Sequence, residues 1–166
     1  SNLVTAEEYE DVHIEFDFNI GRNTWSGVYI GGRYRININN IYGKKGWWPG
    51  AMGGIHPRYD EEREWKQYDG VKAAANPSKP VGEWQTLSID FRAPRFDDNG
   101  FKTAYAEFIN VKFNGVDIHQ NQISTGPSQG AMFQNEGGAG PIAILGRNGP
   151  LAIRNLKIEK RDYSNY

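Results

Sequence analysis

The stretch RYRININN, Arg33 to Asn40, alternates without a break. Tyr34, Ile36 and Ile38 fall on one side, and Arg35, Asn37 and Asn39 on the other. Successive side chains of an extended chain point to opposite faces, so this is a strand with one apolar, core-facing side and one polar side. The segment before it, WSGVYIGG (Trp25–Gly32), reads as a second strand, and Gly31-Gly32 as the turn of a hairpin. Upstream again, VHIEFDFNI (Val12–Ile20) sets Ile14, Phe16 and Phe18 against His13, Glu15 and Asp17. The same period returns downstream. GEWQTLSIDFRA (Gly82–Ala93) alternates, AEFINVKFNGVDIHQNQI is a hairpin about Asn114-Gly115, and two closing strands flank Asn148-Gly149-Pro150. Short strands, frequent turn signals and few helices predict an all-β fold, an antiparallel two-sheet sandwich or jelly roll. The exception is Tyr42 to about Pro80, a long irregular insertion in which RYDEEREWKQYDG has the composition of a short helical turn. Loops of that length in a compact domain are commonly functional.

The chain has 166 residues, the length of one domain, with no internal repeat and no linker, so residues 1–166 are read as a single β-sandwich. Nine Tyr, eight Phe and five Trp supply enough buried area for a core, and 20 Gly and 8 Pro supply turns. A net charge of −1 gives no electrostatic footprint for nucleic acid. No apolar run approaches the roughly 20 residues of a membrane-spanning helix. Cysteine is absent, which excludes disulfides, thiolate metal sites and a cysteine nucleophile.

Five blocks in order carry a resemblance to a known family. They are SGVYIGGRYRI, NPSKPVGEW, GEWQTLSIDFRAPRFDDNG, NGVDIH and the ending GPIAIL…IRNLKI. Together they resemble the 3-keto-disaccharide hydrolase domain family. The resemblance implies a concanavalin A-like jelly roll with the long insertion over its concave side. It also implies a carbohydrate ligand, action on glycosides oxidised at C3, and a periplasmic or extracellular setting. A ketone at C3 acidifies the neighbouring C–H, so the bond can be cleaved by proton abstraction and elimination followed by water addition. That chemistry needs a general base and an electrophile. The family pattern also has an additional N-terminal strand region. A sheet edge left open there would invite a partner chain or oligomer.

The polar positions depart from the family pattern. Where the third family strand reads Tyr-Glu-aliphatic-Gln near an Asp, this chain has Arg35, Asn37 and Asn40. The closing Gln-Asp-His-Gly is replaced by Leu145, Gly146, Arg147 and Asn148, and a family Tyr by His56. These positions define the candidate site. Arg35, Asn37 and Asn39 share a strand face and offer donors and acceptors to sugar hydroxyls, or present a solvated surface. Arg147 and Asn148 form a turn or, with Arg35, a cationic cleft for a sugar carboxylate or sulfate. Trp47 and Trp48 either stack on a sugar ring or fold back into their own loop, with Tyr59 and Trp65 as similar cases. His56 is the candidate catalytic residue. His13 and His119 read as ordinary strand residues, and the three histidines show no zinc spacing. Asp60, Glu61, Glu62 and Glu64 form a solvated face or, alternatively, supply oxygens to a divalent cation such as Ca²⁺. Glu15 and Asp17 share a face, as paired glycosidase carboxylates do. Three functions therefore stand open: a hydrolase or lyase on glycosides, a non-catalytic carbohydrate-binding module, and a structural subunit of a larger assembly.

Overall fold

The computed structural model describes residues 2–166. The strands are β1 (Leu3–Val4), β2 (Val12–Ile20), β3 (Trp25–Ile30), β4 (Tyr34–Asn39), β5 (Arg58–Tyr59), β6 (Gln67–Tyr68) and β7 (Gln85–Arg92). They continue with β8 (Arg95–Phe96), β9 (Lys102–Ala104), β10 (Ala106–Phe113), β11 (Val116–Ser124), β12 (Ala143–Ile144) and β13 (Leu151–Lys160). No helix occurs among the described residues. Two antiparallel sheets face each other, a four-stranded one in the order β1-β12-β3-β4 and a five-stranded one in the order β11-β10-β7-β2-β13.

The period-two pattern decides what lies between them. Val12, Ile14, Phe16, Phe18 and Ile20 of β2 are all buried, as are Leu87, Ile89 and Phe91 of β7. They meet Val28, Ile30, Tyr34, Ile36 and Ile38 from the smaller sheet. Tyr34 and Phe91 have ring centroids 5.3 Å apart, and Phe91 and Phe108 5.2 Å, which ties the two sheets through aromatic contacts. Burial drives the Tyr34 phenol far above its ordinary pKa, and its hydroxyl donates to Glu136 at 2.8 Å. Both expected hairpin turns form, with positive φ at Gly31 and Gly32 and at Asn114 and Gly115.

The insertion between β4 and β7 has no helical turn. Its RYDEEREWKQYDG segment instead closes a two-residue ribbon, β5 against β6. The rest of the insertion works as structure. Ile55 bridges Ile36 on the free side of β4 and Val71 beyond it, while the Ala74 N–H donates to the Ile118 carbonyl at 3.0 Å. Buried His119 on β11 lies 2.7 Å from the Gly53 carbonyl through Nε2. Ala51, Met52, Ile55 and Ala73 thereby join the core. The insertion closes the gap between the edge strand of one sheet and the edge strand of the other. Among the described residues the edges left unpaired are β1 and β13, and β13 is interrupted between Arg154 and Lys157 by a bulge with Asn155 at φ 55°.

A separate clasp holds the start of β2. Asp11 is 5% exposed and accepts from Arg95 twice (2.9 and 2.7 Å), from the Ala93 N–H (3.0 Å) and from the Tyr163 N–H (2.7 Å). Beside it, His13 lies between Asp90 (2.8 Å) and Glu15 (3.0 Å), and Tyr163 donates to Asp90 at 2.9 Å. The clasp thus joins β2, β7 and the segment after β13.

Candidate functional site

The pairing of β3 with β4 sets Tyr29 opposite Arg35, Gly27 opposite Asn37, and Trp25 opposite Asn39. Directly paired residues share a sheet face, so Trp25 stands on the outward side with Arg35. Gly27 is the residue that lets Arg35 lie flat. A Cβ there would sit 2.5 Å from the Arg35 Nε and 2.9 Å from the Ile36 carbonyl oxygen. Arg35 crosses this gap, donates from one terminal nitrogen to the Ser26 carbonyl (2.9 Å), and lies 5.8 Å from the centroid of Tyr29.

The insertion folds over this floor and leaves a cavity of about 520 Å³, lined by Trp25, Arg35, Trp48–Gly50, His56, Pro57 and Gln67–Gly70. That volume suits a mono- or disaccharide-sized ligand. Trp25 and Trp48 are both about half exposed, with centroids 6.5 Å apart, and form an aromatic wall. His56 makes no side-chain hydrogen bond, and its Nδ1 is buried without a partner. Burial, followed by the nearby Arg35 cation, lowers its pKa to about 4, so the imidazole is neutral near pH 7. Asp69 is the one carboxylate in the lining. It has φ 57°, a left-handed backbone that few residues other than glycine adopt, and its Oδ2 accepts from the Thr125 hydroxyl at 2.7 Å. The cavity therefore presents a guanidinium, a neutral imidazole and a carboxylate around an aromatic wall. Replacing Arg35 with Met is expected to raise the His56 pKa from about 4, while leaving it short of 6.5 because burial is the larger cause. An NMR titration of the His56 ring reads this directly, and an unmoved pKa would show that the Arg35 charge does not act on it.

Of the residues singled out in the sequence, Arg35, Trp48 and His56 meet in the cavity. Asn37 and Asn39 do not offer their amides to a ligand. They are 0% and 3% exposed, and they donate to loop carbonyls, Asn37 to Pro49 (2.9 Å) and Gly54 (3.2 Å), and Asn39 to Gly50 (2.9 Å). The insertion lies on them, and they fasten its Trp48–Gly50 wall in place. Trp47 folds back, packing on the core and donating from Nε1 to the Ala73 carbonyl at 2.7 Å. Arg147 and Asn148 are exposed on the turn between β12 and β13 and are not part of the lining. The Asn148 carbonyl accepts from the Trp25 N–H at 2.7 Å, so this turn supports the backbone of the aromatic wall.

Trp25, Gln67, Tyr68 and Asp69 were not singled out. Parity across the Gly31-Gly32 turn would have placed Trp25 on the Arg35 face. For Asp69 the sequence offers only an Asp-Gly pair that reads as a turn. Tyr59 and Trp65 are exposed and outside the lining. The Asp60–Glu64 acids lie on an exposed turn, where Glu61 is tied to Lys66 and Tyr59. Among the described residues no three acidic or histidine side chains converge as a cation site. Glu15 and Asp17 flank a smaller hollow of about 280 Å³ on the five-stranded sheet. Asp17 is bound there by Arg154 (3.1 Å) and Asn155 (2.8 Å), and Glu15 by His13.

The fold is shared by three crystal structures of proteins provisionally called glycosyl hydrolases, all from Parabacteroides distasonis ATCC 8503. They superpose with TM-scores of 0.75, 0.64 and 0.59 at 20%, 19% and 16% identity. The superpositions cover 96%, 97% and 96% of this chain and 68%, 83% and 76% of theirs. The architecture is thus the concanavalin A-like sandwich of glycosyl hydrolase-like proteins. The model of the 3-keto-alpha-glucoside-1,2-lyase-like domain matches residues 1–159, and the chain belongs to that family, as its sequence blocks indicated. No curated protein matches the chain.

Proposed function

We propose that the cavity binds a glycoside oxidised at C3 and cleaves it by elimination. The observation that carries this reading is one cavity that holds an aromatic wall, a guanidinium with no carboxylate within 4 Å, a neutral imidazole and one carboxylate. Trp25 and Trp48 take the apolar face of the sugar ring. Asp69 removes the proton at C2. The C–H electrons move into the C3 carbonyl to form an enolate, whose oxygen receives hydrogen bonds from Arg35 and the His56 ring. A neutral imidazole can still donate a hydrogen bond to such an oxygen. Collapse of the enolate breaks the C1–O bond, the proton on Asp69 passes to the departing oxygen, and water adds to the enone that remains.

Family membership supports the reaction class, and the cavity supports the roles. The substitution of Arg35 for an acid in the family pattern favours a second reading, a module that holds the sugar without cleaving it. One experiment separates the two. The protein is incubated with a 3-keto glucoside carrying a nitrophenyl group at C1, and release of nitrophenol is followed beside calorimetric binding. Release supports elimination; binding without release supports the module; neither overturns both. On either reading Trp25→Ala is expected to weaken binding about 2- to 12-fold, the scale of about 0.5–1.5 kcal/mol for one aromatic contact beyond its buried area. Unchanged affinity would remove the aromatic wall from the site.

A further inference from the structure

The basic residues of this chain divide into two populations. On and beside the five-stranded sheet most are paired, Arg95 with Asp11, Lys112 with Asp117, Arg154 with Asp17, Lys157 and Arg161 with Glu159, while Arg92 donates to the Tyr105 and Tyr166 carbonyls instead. Around the cavity they are not. Among the described residues Arg35, Lys44, Arg58, Arg63 and Lys72 have no carboxylate within 4 Å, and only Lys66 of the insertion is paired, with Glu61. Four of the five sit against aromatic rings of the cavity wall or its support. Lys44 lies 5.7 Å from the Trp48 centroid, Arg58 and Arg63 lie 5.1 and 3.8 Å from Tyr68, and Lys72 lies 6.0 Å from Trp47. The acids of the same insertion do not answer them, since Asp60, Glu62 and Glu64 make no ion pair and Asp69 is bound to Thr125.

Arg35 and Arg58 matter most because both are half-buried. A cation withdrawn from water and left without a counter-ion is costly. Arg58 has only two 3.3 Å contacts to Thr125, and its place depends on Gly126, where a Cβ would come within 2.5 Å of the guanidinium carbon. Buried Arg33, by contrast, is satisfied by three carbonyls. Arg58 and Arg63 both lie against the ring of the wall residue Tyr68, outside the lining itself but next to it. Arg35 lies on the sheet floor, where the reaction proposed above uses it.

We infer that the saccharide taken by this cavity is acidic, carrying a carboxylate or sulfate that the Arg58–Arg63 pair beside Tyr68 receives. This rests on the reading of the cavity as a sugar site and names its substrate class. The planar guanidinium suits both oxyanions through paired N–H···O bonds, and stacking on Tyr68 keeps the two groups oriented before the ligand arrives. Lys44 beside Trp48 adds to the positive field at the mouth.

The test is calorimetric titration of the Asp69→Asn protein, which binds without turnover, with three probes of the size the cavity admits: methyl 3-keto-glucoside, methyl 3-keto-glucuronide, and methyl 3-keto-glucoside carrying a 6-sulfate. The expected result in 20 mM NaCl is at least tenfold tighter binding of one or both acidic probes than of the neutral probe. The advantage shrinks toward unity at 500 mM NaCl as the charges are screened. A preference for one acidic probe distinguishes carboxylate from sulfate. In Arg63→Gln, an exposed position, and in Arg58→Gln with its melting temperature checked, the acidic advantage is expected to fall to threefold or less. Equal binding of neutral and acidic probes would overturn the acidic assignment and leave the sugar site standing. An advantage unchanged in both variants would overturn the role of the arginine pair, and no binding of any probe would overturn this inference together with the sugar site.

Discussion

Asp11→Ala is expected to lower stability by about 3 kcal/mol, the scale for removing one partner of a buried, hydrogen-bonded ion pair. For a domain of this size that is a melting temperature lower by about 6–12 °C. The loss is large because four donors lose one acceptor together: two Arg95 nitrogens and the N–H groups of Ala93 and Tyr163. Glu61→Ala, at an exposed ion pair, is the control and should leave the melting temperature unchanged. The pH dependence follows the same geometry. Burial raises the Asp11 pKa, but the Arg95 and backbone bonds outweigh it, so the folded value lies below the ordinary 3.8. Its stabilisation is complete above pH 3.8 and is lost as pH falls through the lower folded value. His13 behaves in the opposite sense. Burial lowers its pKa, yet Glu15 and Asp90 raise it above 6.5 overall, so its contribution is complete below pH 6.5 and fades as pH rises through the folded value. Thermal melts of wild type and Asp11→Ala that fall in parallel below pH 4 would contradict the assignment.

The second large effect belongs to Asp69. Asp69→Asn keeps the shape and the left-handed backbone that Asp and Asn both tolerate, but removes the base. Turnover of a 3-keto glycoside is expected to fall about 10²- to 10⁴-fold, the usual contribution of a positioned base, with binding affinity within about threefold of wild type. A drop in affinity alone would make Asp69 a binding group. Unaltered turnover would exclude Asp69 as the base and point to the neutral His56 imidazole, the other proton-accepting group in the lining.

The fold was legible because its signal is local. Alternation in RYRININN and VHIEFDFNI, with Gly-Gly and Asn-Gly between strands, specifies faces and turns residue by residue. The site was legible in part. Arg35 and His56 were marked by departure from the family pattern, and both line the cavity. Asn37 and Asn39 share the Arg35 face in sequence, yet the insertion covers them, and alternation cannot report what a distant segment lays over a strand. Asp69 was invisible for the complementary reason. Its place depends on β5–β6 returning across the sheet and on Thr125, 56 residues away. The clasp at Asp11 likewise joins positions 84 and 152 residues apart.

The insertion has two halves with different obligations. Residues near 49–56 seal the β4 edge and contribute to the core, so change there is constrained by folding itself. Residues 57–70 supply the outer rim and are exposed along much of their length. Descendants of this chain can therefore exchange the rim while the scaffold stays intact. Selection for a new sugar would act on a segment whose substitutions cost the protein little, and divergence among close homologues should concentrate there.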